Sequence, residues 1–143
     1  MTRKISSGTP WEPVAGYSRA VAAGDYVFVA GCTSVSGGDV VHEGDAAAQA
    51  GQCIANVAAA LAGLGAGLAD VVRTRMFVTD ISRWEEYGRA HGAAFAAAPP
   101  ATSMIGVSAL VDPRMLIEVE AVAYRPVAGE PGGRPGPVIP PGA

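Results

Sequence analysis

Pro100-Ala101-Thr102-Ser103-Met104-Ile105-Gly106-Val107-Ser108-Ala109-Leu110, followed by Leu116-Ile117-Glu118-Val119-Glu120-Ala121, reads as a short strand, a turn through Asp112-Pro113, and a strand carrying two glutamates in an apolar run. Side chains alternate along a strand, so Glu118 and Glu120 share one face while Ile117, Val119, Ala121 and Ala123 share the other. A carboxylate on a central strand has to be paired, solvated in a cleft or set at a subunit junction. Two readings stay open at this level: a salt-bridged sheet face, and a working cleft carboxylate.

Upstream, Arg19 to Ala23 and Tyr26 to Thr33 read as two strands joined at Gly24-Asp25, the second continuously apolar and therefore buried. Ser36-Gly37-Gly38-Asp39 is a turn. Asp45 caps a helix running to about Leu64, with Ile54, Val57, Leu61 and Leu64 on its buried face and Gly63, Gly65 and Gly67 ending it. Val71 to Thr79 alternates as a strand, with Val71, Arg73, Arg75 and Phe77 on one face and Val72, Thr74, Met76 and Val78 on the other. Ser82-Arg83-Trp84-Glu85 has a capping-box pattern opening a second helix, lined on one side by Trp84, Tyr87, His91 and Phe95 and stopped by Pro99-Pro100. The order is β-β-α-β-α-β-β, an α+β plan with two helices on one face of a mixed sheet. Residues 1–125 form a single domain in this reading. Residues 126–143 are Pro/Gly-rich and are expected to be a flexible tail.

Composition narrows the function. The 143 residues suffice for one domain with a real core, and half are apolar without any run long enough for a membrane helix. Residues 1–12 hold no apolar signal region, and the two cysteines, Cys32 and Cys53, have neither metal-site nor disulfide spacing, so a cytoplasmic setting is expected. The net charge is −3 and the arginines are scattered, which denies a nucleic-acid backbone its electrostatic attraction. His42 and His91 are the only histidines, and His42-Glu43 with Asp45 is a loose polar turn, so no metal and no cofactor are expected. No nucleophile elbow appears, and Gly63-Leu64-Gly65-Ala66-Gly67 follows a helix instead of opening one, a poor phosphate cradle. Carboxylates, hydroxyls and arginines remain. Glu118 can act as a general acid or base, Tyr17 can reach a cleft from its loop, and Cys32 reads as a small buried hydrophobe. Were the strands of Arg73 and Arg75 and of the glutamates neighbours, at least one Arg–Glu pair would cross the sheet.

Gly16-Tyr17-Ser18-Arg19-Ala20, Val27-Phe28-Val29-Ala30-Gly31, Gln49 through Asn56 with Leu61, Val71 through Asp80, Pro100-Ala101 and Leu116 through Ala121 together resemble the Rid/YjgF family of enamine/imine deaminases, over about residues 8 to 125. The resemblance implies a chorismate-mutase-like fold and a homotrimer whose clefts lie between subunits. It implies a small-molecule substrate held by Tyr17, Gly31, Cys32, Gly88, Thr102, Ser103 and Met104, with Glu118 positioning water. Deaminating members carry an arginine after the Pro-Ala pair that grips the substrate carboxylate; here Thr102 stands there. Ala30, Cys32, Gly88 and Met104 also replace the family's common serine, glutamine, asparagine and cysteine, whereas Tyr17, Gly31 and Glu118 match. Loss of a charged hydrogen bond costs on the order of 1.5–3 kcal/mol. Either Arg75 or Arg19 replaces the clamp, or the ligand lacks an amino-acid-type carboxylate; the second reading is preferred. Three functions then compete: a deaminase-like hydrolase of an imine or enamine, a non-catalytic ligand-binding or interaction protein, and a pathway-specific cyclisation or dehydration enzyme.

Overall fold

The computed structural model describes residues 2–126; the expected tail lies outside them apart from Pro126. A six-stranded mixed sheet is built from β1 (Thr2–Ile5), β2 (Ala20–Ala23), β3 (Tyr26–Thr33), β6 (Val71–Val78), β7 (Ala101–Gly106) and β8 (Ile117–Tyr124). Its order is β1-β2-β3-β8-β6-β7. Only β6 and β7 run parallel, joined by the crossover helix α3 (Trp84–Ala94). The hairpin of β4 (Val35–Ser36) and β5 (Asp39–Val40) turns through Gly37 and Gly38, at φ 61° and 84°. That left-handed backbone explains the glycine pair. The longest helix, α2 (Ala46–Gly63), packs with α3 on the apolar face, so the α+β architecture stands as expected.

α2 starts where Asp45 accepts a hydrogen bond from Ala48 N at 3.0 Å. Its buried side chains, among them Cys53, Ile54, Val57, Ala60 and Leu61, recur at three- and four-residue steps and meet Val29, Val119 and Ala121 of the sheet in one core. Each large aliphatic among them contributes about 1.5–3 kcal/mol by leaving water. β8 alternates as its sequence requires: Ile117, Val119, Ala121 and Ala123 are buried, Glu118, Glu120 and Val122 half-buried on the open face.

Several elements differ from the sequence expectation. β1 extends the sheet by a strand; its Thr-Arg-Lys-Ile run is short and exposed, the composition of a guarded edge. Arg3 reaches from it to Leu64 O at 3.2 Å, a cation at the carboxyl end of α2. A short helix α1 (Trp11–Ala15) precedes β2. Val71 is buried and Val72 is 46% exposed, the reverse of the expected phase, because a bulge between Val71 and Arg73 inserts one residue. α3 has no side-chain cap; Asp80 instead accepts from Ser82 N at 3.0 Å and caps the 3-10 turn Ile81–Arg83. Trp84, expected on one side of α3 with Tyr87, His91 and Phe95, is 57% exposed because it opens the helix ahead of those three, which are buried. Among the described residues no helix is long and apolar enough to cross a membrane.

Candidate functional site

Glu118 and Glu120 share a face of β8 but not a fate. Glu120 lies opposite Arg75 of β6 and forms an ion pair with it. Arg75 is therefore spent on a neighbouring strand. Glu118 lies between Thr33 of β3 and Phe77 of β6. Neither neighbour is a cation, and among the described residues no ion pair or hydrogen bond to the Glu118 carboxylate forms. Burial pushes its pKa above the ordinary carboxylate value; Arg19 opposes the shift and Glu120 adds to it.

The Glu118 carboxyl lies directly over Gly31. A Cβ built on Gly31 would stand 2.6 Å from Glu118 Cδ and Oε1. Glycine is thus the residue that leaves room for the carboxylate. The β3/β8 register shifts between Val29 and Cys32, so the strand bulges at Ala30-Gly31, where the carboxylate meets it.

Both residues line a cavity of about 1060 Å³ that also takes in Tyr17, Arg19, Cys32, Thr33, the β4–β5 hairpin, Asn56 and Arg114. α2 fixes its walls. Asn56 Nδ2 donates to Thr33 O and Val35 O, both at 2.9 Å. Gln49, fully buried, donates to Arg114 O at 2.9 Å and accepts from Leu116 N at 2.8 Å. The cavity's two guanidiniums are both engaged. Arg114 holds Asp112 at 2.9 Å and Asp39 at 3.0 Å; Arg19 is 7% exposed and lies 3.7 Å from Glu12. Arg19, like Arg75, is thereby not free to take over the lost clamp.

Cys32 is 3% exposed with its thiol pKa pushed up by burial, the small hydrophobe expected of it. Gly88, Thr102 and Met104 lie elsewhere. Thr102 pairs with Thr74 of β6, which hydrogen-bonds Thr102 Oγ1 at 2.7 Å and His91 Nε2 at 2.8 Å. Met104 reaches toward α3, its Cε 4.0 Å from where a Gly88 Cβ would stand. Ser103 is on the opposite face, 3.5 Å from Arg73 Nη2. With β6 intervening, the β7 residues are about 10 Å across the sheet from β8. One chain brings Tyr17, Gly31, Cys32 and Glu118 together and leaves Gly88, Thr102, Ser103 and Met104 outside that cavity. Among the described residues no cluster of three His, Cys, Asp or Glu side chains is arranged to hold a metal.

Residues 8–125 match the family model described as Endoribonuclease L-PSP. The chain belongs to this family, also called YjgF or Rid. A YjgF-family crystal structure from Mycobacterium tuberculosis is similar at 48% identity with a TM-score of 0.78, covering 87% of this chain and 99% of that one. The YjgF gene product of E. coli is similar at 29% identity and TM-score 0.76, over 86% and 98% of the two chains. The 3-aminoacrylate deaminase RutC of Acinetobacter baylyi is 33% identical over 121 residues, 84% of this chain and 94% of that protein. Membership implies small-molecule chemistry of the Rid/YjgF type.

The Glu12–Arg19 pair was not singled out in the sequence. The available signal was Arg19 at the head of the small apolar strand Ala20–Ala23, where a buried charge demands a partner.

Proposed function

We propose that this protein hydrolyses an imine or enamine that carries no amino-acid-type carboxylate, in clefts completed between the subunits of a homotrimer. Glu118 takes a proton from water as the oxygen attacks the C=N carbon and returns it to the departing nitrogen. Imine and water thereby become carbonyl compound and amine or ammonia. One observation carries the reading: Glu118 is half-buried and unpaired over Gly31, in a cavity whose guanidiniums are already held by carboxylates. Arg19 and Arg114 against Asp39, Asp112 and Glu118 make a lining poor for an anionic ligand. The same charges, with the chain's net −3, weigh against a polynucleotide substrate.

The trimer is supported by the open face of the sheet. Tyr26, Phe28 and Tyr124 are each more than 40% exposed and lie together there, with ring centroids 6.2 Å (Tyr26–Phe28) and 5.2 Å (Tyr26–Tyr124) apart. Such a face calls for a partner surface. A second copy would also bring a β7 edge, with Thr102 and Met104, to a cavity its own chain keeps apart. Sedimentation equilibrium is expected to give three times the chain mass, and a monomer would remove the shared cleft.

The activity is tested by ammonia release from a panel of neutral imines, such as those of amino-acid amides and esters, beside 2-iminopropionate. Turnover is expected for neutral members, with a lower kcat/KM for the carboxylate, which meets Glu118, Asp39 and Asp112 and, among the described residues, no free guanidinium in the cavity. Preferential turnover of 2-iminopropionate, lost in Thr102→Ala, would contradict the proposal. Binding with no turnover of any member would leave the non-catalytic reading.

A further inference from the structure

We propose that Arg19 is a positioning residue: locked by Glu12, its guanidinium grips the Gly31 carbonyl and the Tyr17 hydroxyl, and so fixes the bulge over which Glu118 is presented. The proposal rests on the reading of Glu118 as the working carboxylate.

Arg19 stands just before β2, and every arm of its fork is used. Nη1 donates to Gly31 O at 2.6 Å and to Ala30 O at 3.4 Å, with Cys32 Sγ at 3.5 Å. Nη2 donates to Tyr17 Oη at 3.1 Å, and Nε donates to Ser7 Oγ at 3.2 Å. The guanidinium carbon lies 5.4 Å from the Tyr17 ring centroid. The bulge takes the Ala30 and Gly31 carbonyls out of register with β8, and a buried carbonyl without a partner is costly. The guanidinium is that partner, while Ala30 N donates back to Arg19 O at 2.9 Å. One residue thereby holds a strand irregularity from both backbone and side chain.

Glu12 holds Arg19 in turn. It is 5% exposed on α1 and accepts from Ser6 Oγ, Ser7 Oγ, Ser7 N at 3.0 Å and Thr9 Oγ1 at 3.3 Å. Burial alone would raise its pKa, but those hydrogen bonds, with Arg19, bring it down to about 2, so the counter-charge persists at any ordinary pH. A freely moving lysine-like cation would not do this; a planar fork with fixed donors does.

The titratable and charged groups acting on Glu118 or on its thiol neighbours are Arg19, Glu120 on the same strand, Cys32 on β3 and Cys53 on α2. Of these Arg19 alone favours the ionised carboxylate. The test is a 13C NMR titration of the Glu118 carboxyl in the full chain, for wild type, Arg19→Gln and Arg19→Lys. Arg19→Gln is expected to move the Glu118 midpoint upward. Arg19→Lys, which keeps the charge without the fork, is expected to bring it back only in part while the Tyr17 ring resonances broaden or shift; full recovery of the midpoint with the Tyr17 resonances unmoved would mark an effect of charge alone and overturns the proposal. A purely structural Arg19 would lower the melting temperature of both variants and leave the Glu118 midpoint and Tyr17 resonances unmoved, which overturns the proposal. Should both variants fail to fold, the 15N spectrum of wild-type Arg19 decides. Resolved, slowly exchanging Nη protons are expected, and a freely rotating, averaged guanidinium signal overturns it. None of these readouts requires turnover, so an inactive panel of imines sinks the proposed reaction and leaves this measurement standing.

Discussion

Glu118→Gln is expected to lower turnover of a neutral imine by ~100-fold or more while ligand affinity and fold are retained. The amide is nearly isosteric and keeps the contact over Gly31, but it cannot take a proton from water. No ion pair is broken, because among the described residues the Glu118 carboxylate has no cationic partner at salt-bridge distance, in contrast to Glu120 with Arg75. The pH dependence has a definite sign. Burial raises the Glu118 pKa, Arg19 opposing and Glu120 reinforcing, so the wild-type rate is expected to fall with acidification through a midpoint above the ordinary carboxylate range. That acid limb is absent in the variant. Stability runs the other way: a carboxyl whose folded pKa is raised contributes stability below its unfolded pKa and loses it as pH rises through the folded one. Relative to wild type, Glu118→Gln therefore gains stability toward neutral pH, measurable as urea midpoints at pH 4 and pH 7. Unchanged kcat in the variant would show that the carboxylate moves no proton.

The sequence disclosed these glutamates because β8 has an unbroken two-residue period, and α2 because its cap and apolar spacing agree. It did not disclose the phase of β6, since a single extra residue at Val72 inverts the face of Val71 without any compositional mark. β1 escaped for a related reason: an exposed edge strand needs no apolar face, so Thr2–Ile5 leaves no periodic signal. In the site, the Tyr17–Gly31–Glu118 grouping was legible through motif resemblance, and an Arg–Glu pair across the sheet through strand alternation, though not that Arg75 rather than Arg73 forms it. The separation of Thr102 and Met104 from Glu118 was not legible. It follows from β6 lying between β7 and β8, a fact of strand order that no local pattern carries. Glu12 was hidden by the Ser6-Ser7-Gly8-Thr9-Pro10 stretch just ahead of it, which reads as solvated loop until its hydroxyls and Arg19 are seen folded against the carboxylate.

Gly31→Ala is expected to separate activity from stability more cleanly than any other single change. The added methyl would stand 2.6 Å from Glu118 Cδ and Oε1 and 2.8 Å from Cγ, too close for either group to stay. Gly31 is not among the glycines with positive φ, so alanine meets no backbone penalty. The atoms in the way are the end of a flexible side chain, and the cheap escape is rotation of the Glu118 carboxyl away from the strand. An off-rotamer side chain costs about 0.5–1.5 kcal/mol, so the melting temperature should drop by only a few degrees. A catalytic group misplaced by about 1 Å loses ~100-fold in rate, so kcat should fall nearly as far as in Glu118→Gln. The two changes act on one group and are expected not to add: in the Glu118→Gln background, Gly31→Ala should lower the residual rate little further. The opposite pattern, a large loss of stability with turnover intact, would mean that the sheet yields before the carboxylate does and that Glu118 stands away from the reacting atoms.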